Sequence, residues 1–280
     1  MENLLLVLNG NKFDSNLVDF ACYIANLTRS RLTGVFIENI KGDEQPALKQ
    51  LYALPYVESI TANDLPENKQ RIESCEVNEK LFAEACINRG VNYQIHTNRK
   101  ASVKDVTHES RFSDLIIIDP STSFANETEG TPSHFAREVL AGAECPVVVA
   151  PYSFDGIEEI VFPYDGSKSS VFSIKQFAHI FPALKNKPTT VLQVDQREKL
   201  SDADAAEIRE LMATHFGKFK FEHLRGQAED ELFGYLLGKK NVFVVMGSYG
   251  RGYFSSIFKR SAADLLVKAV NLPIFIAHNK

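Results

Sequence analysis

The most constraining feature of this sequence is an internal repeat. An apolar run that ends in a polar residue and a glycine, Leu4–Gly10, recurs as Ile160–Gly166. Each copy continues with apolar residues at helical spacing and then with a second apolar run, at Leu32–Ile37 and at Thr190–Val194. Such self-similarity indicates that the chain contains two copies of one supersecondary pattern.

The far ends of the two copies match as well. Asp114–Asp119 parallels Asn241–Gly247, and Cys145–Ala150 parallels Leu272–Ala277. Apolar runs that alternate with helical patterns predict βαβ units, which form a parallel sheet covered by helices on both faces. We therefore predict an α/β fold with two open, mostly parallel, five-stranded doubly wound sheets.

A short linker rich in Pro, Ser, Asp and Gly, residues 151–156, separates the copies. It predicts one domain over residues 1–152 and a second over 156–280, which suits a chain of 280 residues. The first copy also carries an insertion, residues 41–71, that mixes turn residues with apolar side chains. At that position the second copy has one compact helical pattern.

The last strand of each copy, Val147–Ala150 and Ile274–Ala277, is apolar along its length. An exposed apolar edge is an aggregation hazard, so we expect these two edges to pair and the copies to form an intramolecular pseudo-dimer. A further homodimer of such chains is compatible with this arrangement.

Composition narrows the class of protein. The net charge of −5 disfavours binding to nucleic acid or to an anionic membrane surface. No apolar run approaches the roughly 18 residues of a membrane-spanning helix, and the first residues are expected to form a buried strand rather than a signal peptide. The cysteines form no C-x-x-C pair, so we expect reduced thiols and a cytoplasmic location. The histidines show no spacing typical of metal ligands, so we expect no metal site.

Candidate binding residues follow the strands of the second copy, because open parallel sheets bind ligands at the carboxyl ends of their strands. These residues are Pro163–Ser167, Val194 and Gly247–Gly252, followed by Ser261 at the start of a helical pattern. A glycine-rich loop before a helix N-terminus offers backbone N–H groups to a phosphate. Neither a dinucleotide-binding G-x-G-x-x-G nor a P-loop is present.

The order of these motifs resembles a universal stress protein domain. The matching signals are Pro-x-Asp-Gly-Ser after the first strand, a second strand that ends in Val, and Met-Gly-Ser-x-Gly-Arg-Gly. A Ser at a helix start and a final x-Pro-apolar-Ala complete the pattern across the whole second copy. The first copy matches in element order and poorly in motifs. The resemblance implies a tandem universal stress protein, an adenine nucleotide alpha hydrolase-like fold and a regulatory stress-response role.

The resemblance also implies a nucleotide site, for ATP or ADP with or without Mg²⁺, in the second copy. ATP-binding members carry G-x-x-G, nine residues, then G-[ST]; Gly247, Gly250 and Ser261 match this pattern, while Arg260 stands where a glycine belongs. The implied site residues are Pro163, Asp165, Gly166, Ser167, Val194, Gly226, Met246, Gly247, Gly250, Arg251, Arg260 and Ser261.

The resemblance also assigns a role to each of these residues, according to its position in the family's motif. Pro163 and Asp165 would flank adenine and ribose, Val194 would contact the base, and Gly226 would let the base approach the backbone. A carboxylate such as that of Asp165 accepts strongly from a ribose hydroxyl. Met246 and Gly247 would lie on the ribose side, and Gly250 and Ser261 would hold phosphates.

The first copy lacks these signals. Asn9 replaces the acidic residue, and Asp119-Pro120 replaces the glycine loop, which removes a backbone donor and adds a negative charge. Thr131-Pro132 is expected to open a helix with proline at its first position. We predict a degenerate site, with aromatic and aliphatic residues of the insertion 41–71 filling the vacated crevice.

Two rival functions remain open beside the nucleotide-binding regulator. One is a nucleotide-free interaction scaffold with both crevices filled by side chains, and the other is an adenylyl-transferring enzyme of a related fold. Catalysis has little support, because Ser167, Ser248 and Ser261 lack a histidine partner recognisable from sequence. We interpret His223 and His278 as packed or surface residues, and we expect no more than slow, incidental ATP hydrolysis.

Substitution of Arg260 tests its role in the predicted site. If the guanidinium pairs with phosphate, Arg260→Ala should weaken ATP binding by about 1.5–3 kcal/mol, the scale of a charge-assisted hydrogen bond. Arg260→Gly should then cost less, because backbone donors regain access. If Arg260 instead blocks the crevice, both substitutions should tighten binding. ATP affinities measured at one salt concentration distinguish the two roles, and unchanged affinity in both variants would contradict both.

Overall fold

The computed structural model describes residues 2–38, 45–51, 54–60, 66–98, 102–124, 129–195, 202–247 and 271–277. The strands in these ranges are β1 (Asn3–Asn9), β2 (Arg31–Ile37), β3 (Gln45–Leu51), β4 (Leu54–Ile60), β5 (Tyr93–Asn98), β6 (Leu115–Ile118), β7 (Val147–Val149), β8 (Glu159–Tyr164), β9 (Thr189–Asp195), β10 (Phe219–Arg225), β11 (Val242–Gly247) and β12 (Ile274–Ala277). The α-helices in these ranges are α1 (Ser15–Thr28), α2 (Pro66–Asn88), α3 (Val103–Glu109), α4 (His134–Gly142), α5 (Lys168–Ile180), α6 (Asp202–His215) and α7 (Ala228–Leu236).

Ten strands form one continuous sheet in the order β10-β9-β8-β11-β12-β7-β6-β1-β2-β5. Each half contributes five strands to this sheet. If the five are counted from 1 to 5 along the chain, their order in the sheet is 3-2-1-4-5 in both halves, and neighbouring strands within a half are parallel. The predicted α/β fold with parallel, doubly wound halves is confirmed. In both halves the strand order reverses beside the first strand, between β1 and β6 and between β8 and β11, and ligands bind at this position in open α/β sheets.

The two halves join through β7 and β12, which pair antiparallel with Val148 opposite Phe275. The expected pairing of the terminal strands is therefore present, and it merges the two predicted sheets into one. Pairing satisfies the backbone N–H and C=O groups that both edges would otherwise expose.

Both faces of the sheet are covered, as the near-continuous apolar strands require. Side chains of β1 alternate between two buried clusters, with Leu4 and Leu6 on one face and Leu5 and Val7 on the other. The first face is covered by α1, α2, α5 and α6, and the second by α3, α4 and α7.

The linker is held by both halves. The Phe154 ring packs edge-on against Phe20 and Tyr23 of α1, with centroids 4.9 and 4.8 Å away. The Asn271 Oδ1 accepts hydrogen bonds from the backbone N–H groups of Tyr152 and Ser153, at 2.6 and 3.2 Å. The linker is thus anchored to an N-terminal helix and to the segment that enters β12.

Two local features differ from the sequence predictions. The insertion contains an antiparallel hairpin of β3 and β4, and its last residues form the start of α2, which has 23 residues where α6 has 14. Pro132 is not the first residue of α4, so that prediction is wrong. Ser133 caps the helix, because its hydroxyl accepts from the Ala136 N–H at 3.0 Å, a bond that proline cannot supply.

In the described part of the chain, no helix is both long and apolar enough to cross a membrane.

Phe177 on α5 is the centre of an aromatic cluster. Its ring contacts Phe162, Phe181, Phe243 and Phe275 at centroid distances of 5.7, 4.9, 5.1 and 5.4 Å. These neighbours come from three strands and from the end of the helix, so the cluster fixes α5 on the sheet.

We expect Phe177→Ala to lower the free energy of unfolding by about 3–5 kcal/mol, because it leaves a cavity among rigid rings. Phe112→Ala is the matched control: Phe112 is 74% exposed while Phe177 is fully buried, and the control should cost less than about 0.5 kcal/mol. Urea unfolding followed by circular dichroism measures both values. Equal losses would contradict this account of the core.

Limited proteolysis tests the anchoring of the linker. We expect residues 151–156 to be spared and the first cuts to fall within the turn-rich residues 41–71. Phe154→Ala, which removes the ring but leaves the Asn271 hydrogen bonds in place, should increase cleavage of the linker. Ready cleavage of the wild-type linker into two stable fragments would contradict the expectation.

Candidate functional site

A small pocket opens at the carboxyl ends of β8 and β9, beside the point where the strand order of the second half reverses. It brings together three of the predicted site residues, Pro163, Asp165 and Val194. The other residues lining it are Tyr164, Leu192, Ala228 and Leu232. The pocket is mostly apolar, with Asp165 as the one charged residue among its described lining residues, and its cavity volume of 20 Å³ is about that of one water molecule.

Strand alternation and helical spacing explain the pocket walls. Leu192 and Val194, two residues apart on β9, belong to the same buried face of the sheet. Ala228 and Leu232 lie four residues apart on α7 and therefore share the helix face above these strands. Sequence reasoning did not include Leu192, Ala228 or Leu232, although both periodicities are visible in the sequence.

Asp165 is held by the turn between β8 and α5. Its Oδ1 accepts a hydrogen bond from the Ser167 backbone N–H at 3.0 Å, and Gly166 between them has a φ of 76°. Such a turn requires a side-chain acceptor and a residue tolerant of positive φ. A carboxylate has about four acceptor positions, so Asp165 keeps acceptor capacity for a ligand.

Ser167 has a structural role in the same turn. Its hydroxyl accepts from the Ser170 backbone N–H at 3.1 Å and thereby caps α5. The cap satisfies one of the orphan donors at the helix N-terminus. Ser167 therefore orients the helix that follows Asp165.

Gly226 directly follows β10 and has a φ of 157°; it was predicted to let a base approach the backbone there. A Cβ at this position would overlap the side chain of Glu231, one residue before Leu232 on α7. The space beside Gly226 is thus taken by a carboxylate. This neighbour was missed at the level of sequence, because only the packing of α7 brings it back to the end of β10.

Gly247 and Met246 end β11. A Cβ at Gly247 would lie 2.6 Å from the carbonyl carbon of Ser169, so glycine is needed for β11 to pass the first turn of α5. Met246 is buried in the core cluster beneath α7, and its side chain is a packing residue. The fold therefore accounts for a glycine at position 247 and for an apolar residue at position 246 without any ligand.

Acidic side chains act on Tyr164 in this otherwise apolar pocket. Burial, and after it the negative charges of Asp204, Asp165 and Glu207, raise the pKa of Tyr164. Four of the predicted site residues, including both predicted cations, lie outside the described residues: Gly250, Arg251, Arg260 and Ser261. Among the described residues, no group of three or more His, Cys, Asp or Glu side chains could hold a metal ion.

The first half makes the same side-chain-to-backbone hydrogen bond after its first strand, but Gly10 lacks the positive φ of Gly166. The Asn9 Oδ1 accepts from the Asn11 backbone N–H at 2.9 Å, as Asp165 does from Ser167. Beside it, a Cβ at Gly10 would lie 3.0 Å from the Cys75 Sγ, and the Asn78 side chain donates to the Gly10 carbonyl at 2.7 Å.

Helix α2 therefore fills the ends of β1 and β2 in the first half. The apolar side chains of the insertion that were predicted to fill this crevice lie outside the side chains that the structure describes, so that part stays a prediction. Cys75 and Asn78 lie just after residue 71, and Glu38, which follows β2, is buried with them. The Asp119 carboxylate is turned onto its own loop, where its Oδ1 accepts from the Ser121 backbone N–H at 2.7 Å.

The contact of Gly247 with α5 can be tested by substitution. We expect Gly247→Ala to lower the free energy of unfolding by about 1–3 kcal/mol, because its methyl group would overlap backbone that cannot move freely. Gly234→Ala, in α7 with nothing within 4 Å of the added methyl group, is the matched control and should raise stability by about 0.5–1 kcal/mol. Urea unfolding of both variants gives the comparison. Equal midpoints for wild type and Gly247→Ala would contradict the proposed contact.

Comparisons with known proteins agree with this architecture. No protein-family model matches the chain. A curated universal stress protein from Synechocystis sp. is 20% identical over 293 aligned positions, which cover 98% of this chain and 99% of that protein.

Solved structures show the same fold over both halves. The crystal structure of a universal stress protein from Archaeoglobus fulgidus superposes with a TM-score of 0.68 at 13% identity, covering 99% of this chain and 98% of the other. A functionally unknown protein from Pseudomonas aeruginosa PAO1 gives a TM-score of 0.60 at 15% identity, covering 99% and 92%. The resemblance indicated by the sequence motifs is confirmed: from end to end, this chain resembles universal stress proteins and has their fold in tandem.

Proposed function

We propose that this protein is a cytoplasmic regulator in a stress response that binds one adenine nucleotide, ATP or ADP, in its C-terminal half. The observation that carries the proposal is the position of Asp165. Its carboxylate is fixed by a turn at the reversal point of the strand order, beside an apolar pocket formed by Pro163, Val194 and Leu232.

These residues suit the nucleoside part of the ligand. An adenine ring has apolar faces that would lie against Pro163 and Leu232, across the mouth of the pocket rather than inside its small volume. The ribose hydroxyls would donate to the free acceptor positions of Asp165, a charge-assisted bond that a neutral side chain would make less strongly. The nucleoside part of the site thus offers an apolar surface for the base and one strong hydrogen-bond acceptor for the ribose.

The phosphate part rests on the sequence pattern. Gly247, Gly250 and Ser261 retain the spacing of the resembling family, and Arg251 and Arg260 would supply positive charge. Asp165 in the pocket and Glu231 beside Gly226 would repel phosphates, so those cations are needed to balance the nucleotide's negative charge.

The N-terminal half is proposed not to bind nucleotide. Asn9 keeps the backbone hydrogen bond but lacks the charge of Asp165, and Cys75 and Asn78 of α2 lie against Gly10 after the first strand. A ligand there would have to displace a packed helix. The expected stoichiometry is therefore one nucleotide per chain.

A nucleotide-free interaction scaffold is the second candidate. It is favoured by the small volume of the C-terminal pocket and by the Glu231 side chain beside Gly226. In either function the protein would act by binding rather than by catalysis, with any ATP hydrolysis slow and incidental.

Calorimetry on the full chain separates the two candidates. We expect wild type to bind one ATP or ADP, and Asp165→Asn to weaken binding roughly 10-fold to 150-fold, the equivalent of about 1.5–3 kcal/mol for a hydrogen bond to a charged group. The turn should survive this change, because Asn9 makes the same backbone bond in the first half.

Asn9→Asp is the matched control, since it places the same charge in the equivalent turn. It should neither create a second site nor change the affinity of the first. Absence of binding by wild type would leave the scaffold, whereas two sites per chain, or full affinity in Asp165→Asn, would contradict the proposed site.

A further inference from the structure

Two of the four cysteines face each other across a helix pair. Cys22 on α1 and Cys86 on α2 are 64 residues apart in sequence, yet their Sγ atoms are 4.0 Å apart and share a hydrogen bond. Both side chains are buried in the core cluster that these helices form on the sheet.

The two sulfur atoms are near neighbours, within reach of a disulfide. An S–S bond is about 2.05 Å long, so they would have to approach by about 2 Å for the bond to form. The remaining cysteines are differently placed. Cys75 faces the Glu79 carboxylate, with its Sγ 3.9 Å from Oε1, and Cys145 follows α4 in the opposite core cluster.

The four thiols also differ in reactivity, because the thiolate is the form that reacts with oxidants. The hydrogen bond with Cys86, assisted by the Arg89 guanidinium, lowers the pKa of Cys22, while the same hydrogen bond and burial raise that of Cys86. Burial and the nearby Glu38 raise the pKa of Cys75, and burial together with Asp114 raises that of Cys145 to about 12. Within the pair, the shared hydrogen bond thus favours the thiolate of Cys22 over that of Cys86.

We propose that Cys22 and Cys86 form a reversible disulfide between α1 and α2 when the protein meets a hydroperoxide. The Cys22 thiolate attacks one peroxide oxygen, so that an S–O bond forms, the O–O bond breaks and hydroxide leaves to become water with the proton that Cys22 had lost. The Cys86 thiol then attacks the Cys22 sulfur. The S–S bond forms, the S–O bond breaks, and the oxygen leaves as water with the Cys86 proton. Two thiols and one hydrogen peroxide thus give one disulfide and two water molecules.

The bond would tie α2 to α1. Helix α2 also carries Cys75 and Asn78, which fill the strand ends of the first half at Gly10. The disulfide therefore holds this helix over the degenerate crevice under oxidising conditions, and the oxidised protein should melt at a higher temperature than the reduced one.

Peptide mapping of the full chain tests the proposal directly, because trypsin places the four cysteines in four peptides, 13–29, 72–80, 81–89 and 138–168. The protein is treated with hydrogen peroxide, denatured, alkylated and digested. We expect peptides 13–29 and 81–89 to be linked, with their joint mass lowered by two hydrogen atoms. The peptides of Cys75 and Cys145 should stay alkylated, and dithiothreitol should reverse the link.

Variants provide the controls. Cys86→Ala should abolish the link and leave Cys22 singly oxidised, whereas Cys145→Ala should leave the link intact. If Cys86→Ala does not fold, the wild-type map decides by itself. Four alkylated cysteines at peroxide concentrations that already oxidise methionine, or a link between any other pair, would overturn the proposal.

Discussion

The antiparallel pairing of β7 with β12 is the contact on which the rest of the architecture depends. Each half is an open parallel sheet whose last strand has one unpaired apolar edge, and neither edge could face water without exposing backbone N–H and C=O groups. Pairing the two edges makes one ten-stranded sheet with continuous cores on both faces. It also explains the anchored linker, because Phe154 and Asn271 connect the halves beside this junction.

The same fold carries two unequal crevices. Asn9 and Asp165 each accept a hydrogen bond from the backbone N–H two residues later, although only Gly166 has a positive φ. One of the two side chains is neutral and the other is a carboxylate. The neighbours of the turn differ more. In the first half α2 lies against Gly10, and in the second half an apolar pocket opens beside Asp165. A difference in what packs at the strand ends, rather than in the strands, thus separates a filled crevice from a candidate binding site.

Glycine identity also needs two kinds of explanation. Gly166 adopts the positive φ that its turn requires, whereas Gly247 is required by the close approach of the Ser169 backbone. A glycine in a binding motif can therefore be structural, and a motif match alone does not distinguish the two. The proposed disulfide pair likewise depends on tertiary packing, since Cys22 and Cys86 are far apart in sequence and meet only where α1 packs on α2.

The sequence by itself determined the α/β class, the internal repeat, the positions of eight of the ten strands in the main sheet and the pairing of Val147–Val149 with Ile274–Ala277. Apolar periodicity and repeated motifs depend on neighbours along the chain, so they can be recognised without the fold. It also located Asp165 and Val194 at the strand ends that the structure brings into one pocket. Only the tertiary structure decided that α2 fills the first crevice, that Glu231 lies against Gly226 and that Gly247 packs on α5. These contacts join residues that are distant in sequence or that face each other through helix packing. Which side chain fills each of these spaces depends on how side-chain volumes pack in three dimensions, and no local sequence pattern encodes that packing.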